Sequence, residues 1–124
     1  MAKNILLICD DPEDLTKRTS TLEDAGYKVK AVTDDEEGLR LLSRQHYDLI
    51  ILGSLKDEKE RQELNRKAKQ IKPRTPVTVI MNPGERDGLA DAVVTNPENP
   101  EALLETVMGV FASRSAGTKL SPLP

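Results

Sequence analysis

The stretch NILLICDDPEDLTKRTSTLEDAGYKVKAV, residues 4–32, holds one complete strand, helix and strand in succession. NILLIC (4–9) is a nearly continuous apolar run, as in parallel strands covered on both faces. Two acids lead into Pro12, whose missing N–H suits the first turn of a helix, and Glu13 and Asp14 follow at the positive helix end. Leu15, Leu22 and Ala25 supply a buried stripe, Gly26 is placed to close the helix in a left-handed conformation, and YKVKAV (27–32) returns to strand composition.

Working outward, DLIIL (48–52), PVTVIM (76–81) and DAVVT (91–95) repeat the strand signal. Between them EEGLRLLSRQ, with Asp34 or Asp35 as cap, turns Leu39 and Leu42 to the core, and KDEKERQELNRKAKQI (56–71) offers only Leu64, Ala68 and Ile71. Asn99 before Pro100 starts a last helix, PEALLETVMGVFASR, with Leu103, Val107, Val110 and Phe111 inward. The alternation predicts an α/β fold, an open parallel sheet with right-handed crossovers and helices on both faces.

Two features depart from that regularity. Only nine residues, NPGERDGLA (82–90), join the fourth strand to the fifth, and Pro83, Gly84 and Gly88 oppose helix. The helix expected there is shortened or missing, which should expose apolar flanks of the fourth and fifth strands. From Arg114 to Pro124, RSAGTKLSPLP has no periodicity and reads as a flexible tail behind a single domain of residues 1–113. On the third helix Arg61, Arg66, Lys67, Lys69 and Lys72 form a charge run that reads first as a solvated face and second as a docking patch for an acidic partner.

A net charge of −3 and 2% aromatic residues argue against nucleic-acid binding, which calls for a basic face and stacking rings. No apolar run approaches the roughly 20 residues that span a bilayer, and the N-terminal MAKNILLICDD lacks a cleavage pattern, so no membrane and a cytoplasmic location are expected. The one cysteine, Cys9, agrees with a reducing compartment.

In order and spacing, ILLICDDPEDL, LEDAGYKVKAVTDDEEGLRLL, YDLIIL, TPVTVI and NPENPEALLETV resemble the response-regulator receiver domain of bacterial two-component signalling. The resemblance covers about residues 4–113 and implies a flavodoxin-like, doubly wound five-stranded sheet in the order 2-1-3-4-5. It also implies a phosphoryl group passed from a histidine kinase to an aspartate, assisted by a divalent cation, a Lys and a Ser or Thr hydroxyl.

Position by position, this chain departs from that chemistry. The acceptor aspartate falls on Gly53, the switch hydroxyl on Met81, the phosphate-binding Lys on Asn96 and the aromatic switch on Val93. The acids before the proline correspond to Cys9, Asp10 and Asp11, so Asp10 alone meets the principal metal position; no metal and no residual magnesium binding are expected, because magnesium wants near-octahedral oxygen ligation. Asp11 is free to cap the first helix, and Cys9 reads as a small buried residue. Asn96-Pro97 keeps the place of a cis Lys-Pro bond and is a cis candidate. Ser54, Asp57 and Glu58 are nearby substitutes for the acceptor but lack the Lys and hydroxyl to neutralise charge. His46, the only histidine, reads as a surface loop residue.

These observations predict a non-enzymatic pseudo-receiver that needs no cofactor, binds a protein partner without phosphorylation, and uses the strand 4, strand 5 and last-helix face, where it can also form a homodimer. Two other readings stand beside it: a small-molecule sensor using the crevice at the carboxyl ends of the strands, and an atypical receiver phosphorylated elsewhere.

Overall fold

The computed structural model describes residues 2–53, 58–81, 85, 88–95 and 98–120, the last seven by their backbone alone. Among these residues nine elements follow one another: β1 (Asn4–Ile8), α1 (Pro12–Asp24), β2 (Lys28–Val32), α2 (Asp35–Arg44), β3 (Leu49–Leu52), α3 (Glu58–Ile71), β4 (Val77–Ile80), β5 (Ala92–Val94) and α4 (Pro100–Leu120). All strand pairs are parallel and the sheet order is β2-β1-β3-β4-β5, as the sequence leads one to expect.

Because side chains alternate along a strand, each central strand feeds two layers. Leu6, Ile8, Ile50, Leu52, Val77 and Val79 pack with Leu42 of α2 and with Leu64 and Ala68 of α3. Ile5, Leu7, Leu49, Ile51 and Ile80 pack with Leu22 of α1 and with Leu103 and Val107 of α4. Burying each of these leucines and isoleucines is worth about 1.5–3 kcal/mol. Gly38 permits the close seating of α2, since a Cβ there would stand 2.4 Å from Ile8 Cδ1.

Local chemistry sets the helix ends. The Asp11 carboxylate accepts from the Glu13 N–H at 2.9 Å, with Pro12 at the first helical position. At the other end Gly26 has φ of 99°, its N–H donates to the Glu23 carbonyl and the Tyr27 N–H donates to that of Leu22, the paired bonds of a Schellman ending. Ala25 is exposed at that ending, and the buried stripe predicted from Leu15, Leu22 and Ala25 instead buries Arg18 and Leu22. Asp34 caps α2 by accepting from the Glu37 N–H, and Asn99 caps α4 by accepting from the Glu101 N–H.

Between β4 and β5 no helix occurs among the described residues, and the chain turns at Gly88 and Leu89. The expected exposure of both flanking strands is corrected for one of them. Every residue of β4 is buried, because Leu64, Ala68 and Ile71 of α3 together with Ala90 cover its outer side, while Val93 of β5 is 37% exposed. The predicted solvated run on α3 is borne out at Arg66 and Lys67, which are exposed, and corrected at Arg61. Arg61 is 3% exposed and pairs with Glu85 at 3.2 Å and with Glu58, and Lys69 pairs with Asp91. These bonds draw the β4–β5 segment onto α3. The backbone of α4 stays helical to Leu120, past Arg114 where the sequence predicts a tail. One glycine, Gly117, costs about 1 kcal/mol against alanine and does not stop a helix already propagating.

Candidate functional site at the carboxyl ends of the strands

In-register pairing brings the predicted positions to one level. Ile8 is paired with Leu52 and Leu52 with Val79, so Cys9 and Gly53 leave the sheet side by side with Ile80 adjacent. The Gly53 N–H donates to the Ile8 carbonyl at 2.8 Å, that of Cys9 to Val32 at 3.1 Å and that of Met81 to Val94 at 2.9 Å. Cys9 and Met81 are both buried, Met81 as part of the core layer under α2 and α3.

What stands over Gly53 was not anticipated from the sequence. A Cβ on Gly53 would lie 3.6 Å from Cys9 Cβ, 3.5 Å from Ile80 Cδ1 and only 2.7 Å from Nη1 of Arg18. The guanidinium of α1 thus occupies the space beside the end of β3. Arg18 is 8% exposed; Nη1 donates to Cys9 Sγ at 3.4 Å and Nη2 lies 3.9 Å from Asp14 Oδ2. The position that the resemblance assigns to a carboxylate is therefore filled by a cation from another element.

The acids gather on the other side. Burial pushes the Asp35 carboxyl above the usual range, and the negative charges of Asp10, Glu60 and Asp34 push it further against the pull of Lys67. Asp10 is half-buried, and Asp11 is exposed and committed to its cap. Among the described residues no group of three His, Cys, Asp or Glu side chains could hold a metal ion. Val93 is paired with Val79 on the edge strand. Glu58 opens α3 and pairs with Arg61, whereas Ser54, Asp57 and the cis candidate Asn96-Pro97 lie outside the described residues. His46 is exposed, with Nε2 3.2 Å from Asp48 Oδ1.

Arg18 had a legible signal. It stands between Leu15 and Leu22 at helical spacing, on the stripe the sequence assigns to the core.

No family model matches the chain. Among solved structures it superposes on a CheY-like receiver domain from Methanospirillum hungatei with a TM-score of 0.82 and 25% identity, over 94% of this chain and 98% of that one. The fold is that of a response-regulator receiver domain. The BeF3-activated DrrB receiver domain is also similar, at 25% identity and a TM-score of 0.75 over 90% of this chain and 99% of that one. The transcriptional regulatory protein GlrR of Escherichia coli K12 is 29% identical over 109 residues, which is 88% of this receiver-like chain and 22% of GlrR. The chain thus spans about a fifth of the length of the curated relatives it matches. No helix among the described residues is long and apolar enough to cross a membrane.

Proposed function

We propose that the chain is a pseudo-receiver, a signalling module that works by contact with a protein partner and takes no phosphoryl group at residue 53. The observation that carries this reading is Arg18 Nη1 standing 2.7 Å from where a Cβ of Gly53 would be. Phosphoryl transfer to a receiver needs a carboxylate nucleophile, and residue 53 offers a hydrogen in place of a side chain. The neighbouring positions do not supply the rest: Met81 is buried in the core and has no hydroxyl. A divalent cation does not fit the donor set of the described residues, because no three acids, histidines or cysteines gather there to hold it and a guanidinium stands beside Gly53.

Contact surface for a partner lies around β5 and α4, where Leu89, Val93 and Met108 are the exposed large apolar side chains among the described residues. Such a surface also suits a second copy of the chain. The test is incubation with acetyl phosphate and magnesium followed by intact-mass measurement. The expected mass is unchanged; a stoichiometric gain of one phosphoryl group overturns the reading. Light scattering across a concentration series tests self-association, with Val93→Glu expected to weaken any dimer formed through this face.

A further inference from the structure

The backbone of α4 runs from Pro100 to Leu120, roughly 32 Å at 1.5 Å per residue. On its inner side Leu103 and Val107 are buried, with Val110 and Phe111 packed against the same layer. The outer side carries Glu101, Glu105, Met108, Gly109, Ala112 and Ser113, all exposed. Met108, at 58%, is the most exposed large apolar side chain among the described residues.

Beside Met108 this face is made of small residues. Gly109, Ala112 and Ser113 stand at the three- and four-residue spacings that make neighbours on a helix. A Cβ on Gly109 would meet nothing within 4 Å, so packing within the chain does not require a glycine there, and glycine weakens a helix interior. Gly109 and Ser113 also border a groove of about 360 Å³ whose other wall is Pro76, Asp91 and Ala92. A long apolar knob and a depression thus lie within one turn of each other. Under a two-fold axis such a pair is self-complementary, the knob of each copy entering the depression of the other.

Charge sets the direction. In sequence the acids of α4, Glu101 and Glu105, precede Met108, and its bases, Arg114 and Lys119, follow Ala112. Two copies running the same way set acid against acid and base against base, whereas opposed copies set each acidic half against a basic one. The positions agree with the packing. An axis at the level of Val110 sets Met108 opposite the partner's Ala112 and Glu101 opposite the partner's Lys119, a position eighteen residues, or five turns, along the same line of the helix.

We infer that α4 pairs antiparallel with the α4 of a second copy of this chain, Met108 of each seated on Gly109, Ala112 and Ser113 of the other. The inference rests on the contact reading above and commits the α4 part of that surface to a homodimer. Two helices bury less than a standard interface of about 1,600 Å², so the dimer is weak and forms at high concentration.

The experiment is sedimentation equilibrium of the full chain over a concentration series. The native chain is expected to dimerise, and Met108→Glu, at an exposed position that leaves the fold intact, to weaken association at least about tenfold. Glu101→Lys and Lys119→Glu should each weaken it several-fold and the double variant restore it, a rescue that a parallel pair does not show. A chain still monomeric at about 1 mM, a dimer indifferent to Met108→Glu, or a double variant no stronger than the single ones overturns the inference. None of these outcomes bears on residue 53, whose reading stands or falls with the acetyl phosphate result.

Discussion

Arg18 stands three residues after Leu15 and four before Leu22, the spacing of a core stripe, so its stem packs inside and its guanidinium reaches Gly53. The two residues complement each other, since the small one leaves the space that the long one fills. Gly53→Asp should fold within about 1 kcal/mol of the native chain, because the atom it meets is the far end of a flexible side chain that can turn and pair with the new carboxylate. That pairing, with Met81 still in place of a hydroxyl, predicts no beryllofluoride adduct by NMR, so restoring the acid alone does not restore phosphorylation. Asp48 illustrates a different residue effect. Burial pushes its carboxyl up, but the Asn4 N–H bond at 2.8 Å and then His46 outweigh this and hold it below the ordinary range. A depressed folded value means that the ionised form stabilises the protein above the unfolded pKa, and that this contribution fades as pH falls through the folded one. Asp48→Asn should cost about 0.5–1 kcal/mol at neutral pH by urea denaturation, with the difference closing in acid below the carboxylate range.

At the scale of elements, α3 compensates for a β4–β5 connection in which no helix occurs among the described residues. Its apolar line is short, yet Leu64 and Ala68 bury against β4 while Arg61 reaches the β4–β5 segment through Glu85. Glu85→Ala should destabilise by about 1–3 kcal/mol, since it removes one carboxylate partner from a buried guanidinium. Hydrogen exchange should show the loss concentrated around Asp91, whose N–H donates to Val77 and whose carboxylate accepts from the Val77 N–H. Helix starts were legible, as the caps at Asp11 and Asn99 show, because capping is local chemistry within a few residues. Asp11→Ala is expected to cost about 1 kcal/mol in a thermal or urea melt. The burial of Arg61 was not legible, because a charge run reads as solvated unless the partner, here 24 residues along the chain, is known.

At the scale of the whole molecule, a buried arginine, Arg18 of α1, stands beside the end of β3, and Asp35 feels the negative charges of Asp10, Asp34 and Glu60 against the pull of Lys67. Because the Asp35 carboxyl is raised in the folded state, the native protein holds that proton more tightly than the unfolded chain, so its contribution favours folding in acid and turns against it as pH rises through the folded value. Asp35→Asn should therefore raise the melting temperature at neutral pH, and the gain should disappear below the ordinary carboxylate pKa.

The parallel sheet and its layered core follow from short, nearly continuous apolar runs separated by capped helical stripes, which admit few ways to bury both faces of a sheet, while the strand order was legible through the resemblance those runs carry. Gly53 and Met81 were equally plain, because they are identities at positions aligned by those runs. The occupant of the space beside Gly53 and the covering of β4 by α3 came only with the folded chain. Each depends on side chains distant in sequence meeting in the interior, where burial, and not residue type, sets what a charge does.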